Sequence, residues 1–151
     1  MDEKRGMTLI VKTITRFTVW LIMLYGIFLI VHGHLTPGGG FVGGLVIALS
    51  FIHLTLAFGK SSQAKVPSEE TSHILEAAGV LMYLGIGIVA LIAGLPFLLN
   101  FLGKGTLFDL FSAGTIPLLN IAIAIKVSTG IFLAYLLLTH MGQVSQEEDQ
   151  E

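Results

Sequence analysis

Apolar residues in this chain come in long unbroken intervals rather than in alternation with polar ones. From Phe17 to Gly59 there is no Asp, Glu, Lys or Arg, from Ala77 to Gly103 there is again none, and between Leu110 and Val144 the one formal charge is Lys126. Each interval exceeds the roughly 20 residues with which an α-helix crosses the hydrocarbon core. The first is too long for one helix and is broken at His32-Gly-His-Leu-Thr-Pro37-Gly38-Gly39-Gly40, where a proline followed by three glycines cannot continue a helix. The pattern predicts helices over about 12–32, 40–58, 72–98 and 116–139. It describes an all-α integral membrane protein with four transmembrane helices in up-and-down order. Residues 1–142 form the transmembrane domain and 143–151 an acidic tail.

The polar stretch Lys60 to Glu70 reads as a loop that ends in a helix start. Thr71 or Ser72 is the expected cap of the third helix, with Glu76 in its first turn, where the helix dipole favours an anion. Gly40, Gly44 and Ala48 recur every four residues on the second helix, and Ala90 and Gly94 on the third, as at small-xxx-small packing interfaces. Glycine is also simply frequent in membrane helices. The basic residues Lys4, Arg5, Lys12, Arg16, Lys60 and Lys65 fall on one side of this topology and Lys104 on the other. The positive-inside rule then places both termini in the cytoplasm, with the 32–40 turn and residues 99–115 facing outward.

Composition agrees: of 151 residues, 54% are hydrophobic and 12% charged, and the mean hydropathy is +0.86, far from a soluble average. A cleaved signal peptide fits poorly, because the first apolar run is too long and no small-residue cleavage site follows it. The chain has no cysteine, which excludes disulfides, thiolate metal ligands and cysteine nucleophiles. The net charge of −2 comes mostly from Glu147, Glu148, Asp149 and Glu151 and says little about partners.

Lys126 is the sharpest chemical feature, because it lies about ten residues, or ~15 Å, from either end of the fourth helix. An ammonium at that depth costs ~2.5–3.5 kcal/mol or more, so such residues face a bundle interior or a hydrated cavity and have a partner. Snorkelling to the surface would need more reach than one side chain has. Glu76 is expected near the cytoplasmic end of its helix and Asp109 at or beyond the outer interface. The expected partner is therefore a carboxylate on another subunit. Such a lysine suits proton relay or charge gating of an ion path, or serves only as an inter-subunit pin.

The remaining polar groups carry weaker signals. His32 and His34 flank Gly33 at the first turn, and His53 lies inside the second helix. Two imidazoles at i, i+2 with no third ligand do not make a metal site, so they read as turn-bonding groups or relay candidates. His53 is either a polar packing group or a relay member. His73 and His140 read as solvated at the interfaces. Residues 103–120 mix apolar groups with Asp109, Ser112, Thr115 and Asn120, which reads as an outer lid or re-entrant piece covered by protein. Asp109 either caps a short turn there or joins an ion path. Pro37-Gly38-Gly39-Gly40 lacks the Lys-Ser/Thr of a phosphate loop. No serine has a base and orienting acid at readable spacing, and nothing points to a nucleic-acid partner or a bound cofactor.

The stretch His32-Gly-His-Leu-Thr-Pro37-Gly38-Gly39-Gly40-Phe41-Val-Gly-Gly44 resembles the B subunit of the multisubunit Mrp (Mnh) cation/proton antiporters. So do Gly105-Thr-Leu-Phe-Asp109-Leu-Phe-Ser-Ala-Gly-Thr-Ile-Pro117-Leu-Leu-Asn120 and the intramembrane Lys126. The resemblance covers nearly the whole chain apart from the acidic tail. It implies a small, non-catalytic subunit of a secondary transporter in the cytoplasmic membrane of a prokaryote. Its partners are then other membrane subunits, and Na+ and H+ are the ions exchanged. The same kind of subunit recurs in the antiporter-like modules of membrane-bound hydrogenases and related sulfur-reducing complexes, which are redox-driven. A purely structural assembly role is the remaining expectation.

Overall fold

A computed structural model of the chain describes residues 7–35, 37–59, 66–103, 105 and 112–148, the last six of these by backbone alone. Asp109, Lys104, the 60–65 connection and the end of the acidic tail lie outside the described residues. Four helices follow one another: α1 (Leu9–Val31), α2 (Gly39–Phe58), α3 (Glu69–Ile92) and α4 (Ile116–Glu148). Each contains a segment long and apolar enough to cross a membrane, and in α4 that segment is Ile116–Gly142. The chain is a multi-pass membrane protein.

Two boundaries of α3 differ from those expected. The helix starts a turn earlier because Ser68, not Thr71 or Ser72, is its N-cap: the Ser68 hydroxyl accepts a hydrogen bond from the Thr71 N–H at 3.2 Å, and Glu69 and Glu70 occupy the first turn. Glu76 thereby moves two turns into the helix. At the other end α3 stops at Ile92 rather than near Leu98. Gly94 takes a left-handed φ of 74°, its N–H bonds to the Leu91 carbonyl and the Leu95 N–H to that of Ala90. This is a Schellman stop, with Pro96 two residues beyond it. Gly94 is outside the helix and meets nothing, so the Ala90/Gly94 pair is not a packing stripe; Ala90 alone is fully buried.

Helix order in space departs from order in sequence. α1 packs on α2, α2 on α4, and α4 on α3, with a lesser α1·α4 contact. α2 and α4 run parallel, since Gly40 meets Asn120 and Gly44 meets Ala124, while α3 is antiparallel to α4, with Gly79 against Ala122 and Lys126. Small residues set the three main seams. A Cβ on Gly44 would lie 2.7 Å from the Ala124 carbonyl, one on Gly43 2.9 Å from that of Gly26, and one on Gly79 2.8 Å from the Lys126 nitrogen. Backbone-to-backbone approach of this kind replaces the hydrophobic drive that helices lack against lipid. Large apolar side chains point outward instead, Trp20 73% and Ile92 82% exposed, and one bulky cluster, Phe51 with Phe132 at 5.6 Å, sits between α2 and α4.

Candidate functional site: an ion pair between two helices

Lys126 is held at a close approach of α3 and α4. Gly79 lets the Lys126 backbone approach, and Gly130, one turn along α4, leaves room for the Glu76 carboxylate. The Lys126 ammonium lies 3.4 Å from Glu76 Oε1, the lysine side chain 48% and the glutamate 28% exposed. A carboxylate of this same chain therefore meets Lys126, contrary to the expectation of a partner on another subunit. The shift of the α3 start by one turn is the reason. Lys126 is about ten residues from the start of α4, and the facing Gly79 about ten from the start of α3, so the contact sits ~15 Å from both helix ends.

Beside the pair is a cleft of about 330 Å³ lined by Gly79, Val80, Tyr83, Ala122, Ile123 and Lys126. It is almost wholly apolar apart from the lysine. At 3.4 Å the contact is longer than the ~2.7–2.9 Å of a strong charge-assisted hydrogen bond, and it engages one of three ammonium donors.

The glycine-rich turn forms a separate unit. His32 ends α1, with Nδ1 3.0 Å from the Phe28 carbonyl and its ring stacked on Phe28 at 4.1 Å. Pro37 leads into Gly38 (φ 129°) and Gly39 (φ 55°), conformations that a side chain would strain. Gly38 is the N-cap of α2 and has no side chain with which to cap it; Asn120 of α4 does so instead, its Oδ1 accepting the Gly40 N–H at 3.3 Å. Asn120 fits because Gly33, Gly39 and Gly40 surround it, and a Cβ on Gly40 would fall on the Asn120 backbone carbonyl. Asn120 Nδ2 is buried with no hydrogen-bond partner among the described residues.

Relay candidates named from the sequence are thus not one cluster. Along α4 Asn120 is six residues from Lys126, or ~9 Å, and it faces α2 rather than α3. His32 and His34 sit half-buried in the turn at that level. In the parallel α2–α4 register His53 falls level with Leu133, ~10 Å past Lys126. Among the described residues no three His, Asp or Glu side chains converge as metal ligands.

A family described as a domain related to the MnhB subunit of Na+/H+ antiporter matches residues 10–133, which hold both the turn and the ion pair. The chain belongs to the MnhB family. Among MnhB-like relatives, the B subunit of the Na+/H+ antiporter of Bacillus subtilis is 34% identical over 73% of this chain and 85% of its own length. An uncharacterized protein of Methanocaldococcus jannaschii is 39% identical over 79% of this chain, which spans about half (47%) of that relative. One chain of the membrane-bound sulfane sulfur reductase, an archaeal respiratory membrane complex, superimposes with a TM-score of 0.69 at 29% identity, covering 88% of this chain and 60% of that one.

Two residues that organise this MnhB chain give little sign of it in the sequence. Asn100 joins the 93–103 segment to the start of α4: its Oδ1 accepts the Thr115 N–H at 2.7 Å and hydroxyl at 3.0 Å, and its Nδ2 donates to the Ala113 carbonyl at 2.9 Å. Glu76 reads as interfacial from its spacing to Thr71. The available signal for its true depth is Pro67-Ser68-Glu69-Glu70, an N-cap with two acids behind it, a turn upstream of Thr71.

Proposed function

We propose that this chain is a small membrane subunit of a multisubunit sodium/proton antiporter, with both termini cytoplasmic in the plasma membrane of a prokaryote and Lys126 and Glu76 as its contribution to the ion path. The observation that carries this reading is the pair itself: a charged group ~15 Å from the start of α4 and level with a residue ~15 Å from the start of α3, turned half outward from the chain. Lipid does not tolerate an exposed ammonium at that depth, whereas water or a neighbouring subunit does. The α3–α4 face is then the side on which the rest of the complex, or the ions, meet this subunit. The excess of Lys12 and Arg16 at the end that bears the termini supports the orientation.

A second reading rests on the likeness to a chain of a respiratory complex: the same subunit in an antiporter-like module driven by electron transfer. Mild-detergent purification through a tag on this chain, with mass spectrometry of all co-purifying subunits, separates the two. Antiporter-type membrane subunits alone are expected for the first, and iron–sulfur or nickel subunits for the second. Recovery of the chain by itself sinks both. Role is tested by Lys126→Gln: sodium-dependent proton exchange per assembled complex is expected to fall at least tenfold. Unchanged exchange with a lower yield would make the pair an assembly pin.

A further inference from the structure

Ser72 lies one turn from Glu76 on α3, at i, i+4, and so on the same face of the helix. It is fully buried, on the face that Glu76 turns toward α4, and its hydroxyl has no hydrogen-bond partner among the described residues. Serines elsewhere in these helices do otherwise: Ser50 bonds the Ile47 carbonyl at 2.6 Å and Ser128 that of Ile125 at 3.1 Å. A buried hydroxyl rarely goes unsatisfied, and the usual occupant of such a place is an ordered water with two to four polar partners. Beyond Ser72, a further turn toward the helix start, stands the capping hydroxyl of Ser68. Ser68, Ser72 and Glu76 thus form a polar line along one face of α3 that ends at Lys126.

We propose that the α3–α4 seam is hydrated from the end bearing the termini as far as the ion pair, with the Ser72 hydroxyl and the Glu76 carboxylate as the groups that hold the water. Water suits the place better than a metal cation. The carboxylate already faces the Lys126 ammonium at 3.4 Å, whose charge repels a second cation, and the seam offers few oxygens for one. The proposal deepens the ion-path role and rests on that reading. It gives the pair a proton connection to one side of the membrane.

The absence of cysteine from this chain lets labelling be read on its own band. Ser72→Cys and, as a control at similar depth on the exposed side of α3, Ile74→Cys are each reacted with a charged, membrane-impermeant thiol reagent in complexes captured through a partner subunit. Capture reports the subunit reading and labelling reports hydration, so the two fail separately. Ser72→Cys is expected to react at least tenfold faster than Ile74→Cys although it is the more buried, and only from the side of the termini. An inert Ser72→Cys, or equal rates at both positions, overturns the proposal. Amide hydrogen exchange on the unsubstituted complex gives a readout without any variant. Residues 75–78 are expected to exchange at least tenfold faster than 83–86, which lie equally far from the opposite end of α3, and equal protection overturns the proposal.

Discussion

At the scale of single residues, the Lys126–Glu76 contact is held by its neighbours more than by its own geometry. Breaking a desolvated pair by removing one partner costs ~3–5 kcal/mol because the other charge is left uncompensated, a figure that applies where a neighbour covers the site. Glu76→Gln is therefore expected to lower the melting temperature of the complex. The double variant Lys126→Met/Glu76→Gln should recover most of that loss yet carry no exchange in vesicles, which separates holding the helices from moving ions. Lys126 was legible in the sequence because a lone charge in an apolar run stands out. Glu76 was not, because its depth depends on where α3 begins, and choosing Thr71 or Ser72 over Ser68 moves it by about one turn, ~5 Å.

At the scale of elements, each seam depends on residues without side chains, and their substitution separates packing from propensity. Gly79→Ala places a Cβ 2.8 Å from the Lys126 nitrogen and 2.9 Å from the Ala122 carbonyl, two backbone atoms that cannot yield without parting α3 from α4. A severalfold loss of assembled complex is expected on native gels. Gly85→Ala, six residues along the same helix, meets nothing within 4 Å and is expected to leave the yield unchanged. Asn120→Ala removes the cap that α4 lends to α2. A loss of ~1 kcal/mol or more is expected, readable as a lower melting temperature, because losing an N-cap costs about that much. The four helices were legible from apolar run length, and the break at Pro37 from the proline and the three glycines after it. The purpose of the Gly38–Gly40 run was not: its partner Asn120 lies 80 positions away, and no local pattern signals a cap supplied across a seam.

At the scale of the whole molecule, α3 packs chiefly on α4 while its outward face carries Leu81, Leu84, Ile88 and Ile92 into whatever surrounds it. The chain expressed without partners is accordingly expected to lose α3 packing first. Limited proteolysis should cut the 60–68 connection and the 93–115 segment sooner in the isolated chain than in the complex; equal rates would mean that α3 needs no neighbour. An up-and-down order was legible in the sequence, but the spatial order α1–α2–α4–α3 was not, since run length and charge fix crossings and say nothing of which seams close.

α4 is the common neighbour of α2 and α3, and it leaves the ribosome after both of them. Until it arrives, the glycine-lined groove of α2 stays open, the start of α2 lacks its cap, and α3 has no surface to rest on. Synthesis of this chain thus passes through an interval, before residue 116 appears, in which three spans are made and the seams joining them through α4 are still unformed.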